Sequence, residues 1–146
     1  MANYLLSNLN IDIISEEIGA FLDRCKGDRK DAMRIKFAAE EILLNYQERL
    51  GEEQEVTLDC RKRFGRPRIV LNINSARFNP IEEKVEQGES SEVLNSVMVN
   101  MGLAPNWEYV NGINRITFIP RKKGHSQMEQ LIGSIVSAIV CGGLCL

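Results

Sequence analysis

Two short stretches of strict alternation limit this chain more than anything else in it. Val56, Leu58 and Cys60 alternate with polar residues, and after a turn region containing Phe64, Gly65 and Pro67 the alternation resumes at Ile69, Leu71 and Ile73. Period two with a single apolar face predicts half-buried antiparallel strands, so some other element has to cover that face. The cover is at hand upstream. Ile14, Ile18, Phe21, Leu22 and Cys25 recur at spacings of three and four, with Asp12 and Ser15 as caps and Gly27 as a stop. A longer helix is expected over 28–50, ending at Gly51, with the stripe Ile35, Ala38, Ala39, Ile42, Leu43 and Tyr46. A second hairpin follows from Trp107, Tyr109, Ile113, Ile116 and Phe118 around Asn111-Gly112, a pair that accepts the positive φ angles of a tight turn.

Between the hairpins, residues 78–92 are polar and acidic and read as a loop or short irregular helix. Val93, Leu94, Val97, Met98 and Met101 then predict a short helix closed by Gly102. The expected order is helix, helix, strand, strand, loop, helix, strand, strand. This makes an α+β two-layer sandwich, its sheet mostly antiparallel and its helices on one face. The 146 residues suffice for one such core without disulfides or metal. Cys25, Cys60, Cys141 and Cys145 form no C-x-x-C pair, and with His125 as the single histidine no zinc-ligand spacing can be assembled. Lacking a secretory signal pattern at its start, the sequence suggests reduced thiols facing the cytosol.

The net charge of −2 is a sum of patches. Residues 1–60 carry 7 basic and 13 acidic side chains, residues 61–80 carry 6 basic and none acidic, and no charge follows Glu129. This balance speaks against a dedicated nucleic-acid binder. Arg61, Lys62, Arg63, Arg66 and Arg68 cluster around the first hairpin turn. They suit a solvated turn that blunts a sheet edge with charge, or a surface for an anionic partner or lipid headgroups.

The stretch Phe37-Ala-Ala-Glu-Glu-Ile-Leu-Leu-Asn45 resembles the N-box helix of the histidine-kinase, gyrase and anti-sigma-factor ATPase superfamily, with Glu41 and Asn45 in the glutamate, three residues, asparagine pattern. An i, i+4 pair lies on one helical face. The likeness to anti-sigma-factor serine kinases spans roughly residues 10–123 and includes Phe78-Asn79-Pro80 and the closing Asn111-Gly112 hairpin. It implies a Bergerat ATPase-like fold over residues 1–123, Glu41 as catalytic base and Asn45 as a ligand of Mg²⁺ beside ATP. It implies equally where the pattern breaks. The family's Asp-x-Gly before Phe-Asn-Pro falls on Ile73 and Ser75, with Asn74 offering an amide but no carboxylate. Between Pro80 and Trp107 there are only Gly88 and Gly102, so the phosphate-cradling glycine box is missing. Asn45, Asn74 and Ser75 are thus expected as remnants of a nucleotide site, with Mg-ATP not expected to bind in the ordinary way.

Leu131 begins an uncharged run of sixteen residues to the end of the sequence, eleven of them apolar, preceded by Arg121, Lys122 and Lys123. As a helix it is ~24 Å long, short of the ~30 Å hydrocarbon core, so residues 124–146 read as the start of a transmembrane segment, as a short tail anchor, or as a terminal helix packed on the domain or a dimer mate. Basic residues on its N-terminal side place the domain in the cytosol, attached to the cell membrane. Together, the degenerate ATPase-like domain, the basic patch and the apolar run resemble the cytosolic N-terminal extension of some bacterial dicarboxylate or amino-acid:cation symporters. The resemblance implies a regulatory or interaction domain whose partner is another protein or its own transporter domain. The alternative is an active ATP-dependent serine/threonine protein kinase acting on a partner-switching antagonist.

Overall fold

A computed structural model describes residues 2–81 and 105–120. Over these, the order is β1 (Ala2–Leu5), α1 (Asn8–Arg24), α2 (Arg29–Leu50), β2 (Glu55–Arg63), β3 (Arg66–Asn74), β4 (Asn106–Val110) and β5 (Ile113–Phe118). The five strands form one sheet in the order β1-β2-β3-β5-β4, and every neighbouring pair is antiparallel. The α+β two-layer sandwich expected from the periodicities is therefore present. The short helix expected around Val93 and the apolar helix expected over 124–146 lie outside the described residues. No helix among the described residues is long and apolar enough to cross a membrane.

Local chemistry explains where α2 begins and ends. Asp28 caps it, its carboxylate accepting from Lys30 N at 3.0 Å, and Gly51 closes it with φ +100°. α1 departs from the sequence reading at both ends. Neither Asp12 nor Ser15 is its cap: Ser7 accepts from Asn10 N at 3.2 Å, which starts the helix earlier. Ser15 is buried mid-helix, where its hydroxyl donates to Glu40 Oε2 at 2.5 Å and ties α1 to α2. At the far end the left-handed position falls on Lys26, φ +59°, rather than on Gly27, whose N–H caps Leu22 O at 3.3 Å. β1 escapes a periodicity reading because it has four residues. It pairs Ala2 with Leu58 and Leu5 with Glu55, and Pro67, expected in the turn, lies within β3.

The core lies between the helices and one sheet face. Ile14 and Ile18 from α1, Ile35, Ala38, Ala39, Ile42, Leu43 and Tyr46 from α2, and Val56, Ile69, Leu71, Ile73 and Ile116 from the sheet are all fully buried. Among the described residues, no helix covers the other sheet face. By register it carries Asp59, Arg61 and Arg63 of β2, Arg66, Arg68, Val70 and Asn72 of β3, and Arg115 of β5.

Both hairpins close through two residues of positive φ, Phe64 (+51°) and Gly65 (+79°) in one, Asn111 (+53°) and Gly112 (+78°) in the other. These are the angles of a type I′ turn, whose twist matches that of the strands it joins. Asparagine is at home at the first position; phenylalanine is strained there by its Cβ. Phe64 recovers nothing by packing, being 95% exposed. Phe64→Asn should therefore raise stability by about 1 kcal/mol, measured as a higher urea midpoint at unchanged slope.

Candidate functional site

The second half of α2 faces the segment that leaves β3. Tyr46 is fully buried, and its hydroxyl donates to Phe78 O. The Tyr46 and Phe78 rings meet edge to face with centroids 5.0 Å apart, and the Arg49 guanidinium lies 4.6 Å over the same Phe78 ring. Phe78, Asn79 and Pro80 are all buried, and Asn79 Oδ1 accepts from Ile81 N at 2.9 Å, turning the chain. The Phe-Asn-Pro segment is thus an inward plug between helix and sheet.

What fixes the plug from the sheet side is Asn114, a fully buried amide on the inward phase of β5. Its Oδ1 accepts from Phe78 N at 3.0 Å and from Trp107 Nε1 at 3.2 Å. Its Nδ2 donates to Ser75 Oγ at 3.0 Å and to Ala76 O at 2.9 Å. One side chain therefore gathers β3's exit, β4 and β5. Arg77 closes the edge by placing its guanidinium 4.7 Å over the Trp107 ring.

The residues expected at a nucleotide site fall around this plug as follows. Glu41 and Asn45 share a face of α2, but Asn45 is buried and turns its amide back, Nδ2 donating to Glu41 O at 2.9 Å. Asn74 is exposed at the end of β3. Ser75 receives the Asn114 amide and donates its own hydroxyl to Ala76 O at 3.0 Å, while its carbonyl accepts from Tyr109 OH at 3.4 Å. Ile73 is fully buried, paired with Val56 on one side and Asn114 on the other. Among the described residues no group of three or more His, Cys, Asp or Glu side chains is placed to hold a metal ion.

Sequence reasoning missed Asn114, Tyr46 and Arg49 as a constellation. The signal was available for two of them. An asparagine on the inward phase of an apolar strand needs partners, and a tyrosine in an apolar stripe carries a hydroxyl that burial obliges to bond.

Glu41 and Cys60 have shifted affinities for protons. Glu41 is raised above the usual carboxylate value, first by burial and then by repulsion from Glu40 and Glu48. The Cys60 thiol is pushed up to about 11, chiefly by burial, with Glu17 and Asp59 adding to it and Arg24 opposing. It is thus a poor nucleophile near neutrality.

Two concavities lie elsewhere. A small one of about 110 Å³ sits at the end of the molecule where the α1–α2 connection meets the first hairpin, lined by Gly27, Asp31, Arg66, Pro67 and Pro120 among others. Among the described residues, a wider groove of about 830 Å³ runs over the sheet face opposite the helices, with Arg61, Arg63, Arg68 and Arg115 set against Asp59 and Glu108. Neither includes Glu41, Asn45, Asn74 or Ser75. The chain matches no known family model, and no curated protein matches it significantly.

Two outcomes follow from this geometry. Asn114→Ala leaves Phe78 N, Ala76 O and the Trp107 indole without their partner, so it should destabilise the fold by about 3 kcal/mol and shift Trp107 emission to the red. Glu41→Gln should act the other way. Because folding raises the carboxyl's proton affinity, the charged form is disfavoured in the fold, and the amide removes that penalty above the usual carboxylate range. The melting temperature should rise at pH 7, with the gain gone at about pH 4, where the carboxyl is largely protonated in the folded and unfolded chain alike.

Proposed function

We propose that this chain is a cytosolic regulatory or interaction domain with a degenerate histidine-kinase-like ATPase fold, the N-terminal part of a membrane transporter of the dicarboxylate or amino-acid:cation symporter type. Its layout supports the family: two helices cover one face of an antiparallel sheet, and Phe78-Asn79-Pro80 leaves β3 beside the helix bearing Glu41 and Asn45. The reading is carried by Ile73. Where the family's aspartate would hold the adenine amino group, an isoleucine is sealed in the core, and no carboxylate among the described residues replaces it.

The neighbouring positions support the loss of nucleotide. Ser75, in place of the glycine that lets backbone approach a base, is engaged by Asn114, and Asn45 bonds to its own helix instead of presenting its amide outward. These positions speak against Mg-ATP as a ligand. A pocket that has given up its ligand can persist as a scaffold for contact, since function resides in sites rather than folds. The partner is another protein or the transporter domain itself, and the uncharged run from Leu131 onward supports attachment to the membrane.

Thermal denaturation with Mg-ATP tests this directly. Ligand at a hundred times its Kd adds about 2.7 kcal/mol to stability, a shift of several degrees, and none is expected at millimolar nucleotide. A Mg²⁺-dependent shift that disappears in Asn45→Ala would overturn the reading and favour the active serine/threonine kinase instead.

A further inference from the structure

The two hairpin turns form an internal comparison. The same backbone is built twice, once from the residues that suit it, Asn111-Gly112, and once from Phe64-Gly65. Folding gives no reason for the second choice, because the Phe64 ring is strained in place and almost wholly in water.

The strands behind that ring are equally costly. Arg61 stands directly opposite Arg68, and Arg63 opposite Arg66, all four on the sheet face opposite α1 and α2. Like charges across a ladder destabilise it. Arg61 is joined to Asp59 at 3.0 Å, while Arg63, Arg66 and Arg68 make no ion pair among the described residues. The Arg68 Nε is buried without a hydrogen-bond acceptor among the described residues. An apolar ring thrust out from paired arginines is a sequence that a folded monomer alone would not favour.

We propose that this end of the domain docks on an anionic lipid bilayer, with Phe64 entering the interfacial layer and the arginines holding headgroup phosphates. Aromatic rings favour the headgroup level of a membrane, and basic residues beside it are drawn to anionic lipid. Guanidinium groups meet phosphate with paired, charge-assisted hydrogen bonds. The place of the tip agrees with a planar partner. Pro120, the last described residue, lines the small cavity together with Gly65, Arg66 and Pro67, so the chain departs beside the hairpin, and Arg121, Lys122 and Lys123 come next in sequence.

A soluble polyanion suits the surface less well. The protein as a whole is acidic, with net charge −2, so a nucleic acid long enough to follow the groove would meet repulsion beyond it. A plane touches only the basic end, and screening over ~10 Å at ordinary salt shields it from the remaining acidic surface. The link to a membrane-attached protein rests on the transporter reading above, whereas the hairpin chemistry does not depend on it.

The experiment uses the full chain with vesicles of phosphatidylcholine alone, or with roughly one third phosphatidylglycerol. Binding should favour the anionic vesicles and weaken with salt. Replacing Arg63 and Arg66 by Gln should reduce partitioning about thirtyfold. Phe64→Asn should reduce it as well, although that variant folds more stably. In Phe64→Trp, the added emission should shift to the blue and be quenched by lipids with brominated acyl chains. Anionic-only binding with this quenching supports the proposal even if no transporter follows. Equal binding to both vesicle types, indifferent to salt and to the hairpin variants, would assign attachment to the apolar run and overturn the hairpin's role. Tight binding to heparin or RNA without lipid quenching would overturn it in favour of a soluble polyanion, and no binding to any vesicle would overturn it outright.

Discussion

A side-chain amide sealed in an apolar interior has to find partners for both its oxygen and its nitrogen, and the position of Asn114 makes this requirement organise half the molecule. With its donors and acceptor committed to Ser75, Ala76, Phe78 and Trp107, the chain leaving β3 has one path open to it. That path brings Phe78 under Tyr46 and Arg49. The helical layer and the far hairpin are thereby joined by polar contacts as well as by apolar burial. Networks of this kind specify one arrangement because a partly satisfied version is worse than none.

The same network bears on function. On the proposed reading, the region between α2 and the end of β3 is a nucleotide site that has lost its ligand. Its described polar groups bond one another, and Ile73 is sealed in the core at its edge. Burial and repulsion from Glu40 and Glu48 raise the proton affinity of Glu41 on the face it shares with Asn45, so its charged form is disfavoured in the fold.

Much of the fold was legible because it is written in periodicity. The stripe from Ile35 to Tyr46 and the alternations at Val56 and Ile69 declare helix and strand without ambiguity, and Asp28, Gly51 and Asn111-Gly112 mark ends and turns through known backbone preferences. What escaped was short or non-local. β1 has four residues and belongs to the sheet through its partner β2 rather than through any pattern of its own. The start of α1 was misplaced because Ser7 precedes Leu9, an exposed residue outside the apolar stripe. Of the candidate site, Glu41 and Asn45 were readable as a helix face, yet the direction of the Asn45 amide depends on its surroundings. Asn114 was visible only as a polar letter on an inward phase, and its four partners span strands that no local rule connects.

The pairing of Ala2 with Leu58 has a consequence for synthesis. Each hairpin joins neighbours in sequence and can form within about 1–10 μs of its strands being available, but β1 must wait until α1, α2 and β2 have emerged. At ~5–20 residues per second, that is a delay of several seconds during which the first strand made has no edge to join. Its brevity is then a safeguard. Four residues with mostly exposed side chains are a poor template for the strands of other nascent chains, so the sheet's outermost member can be the first made and the last docked.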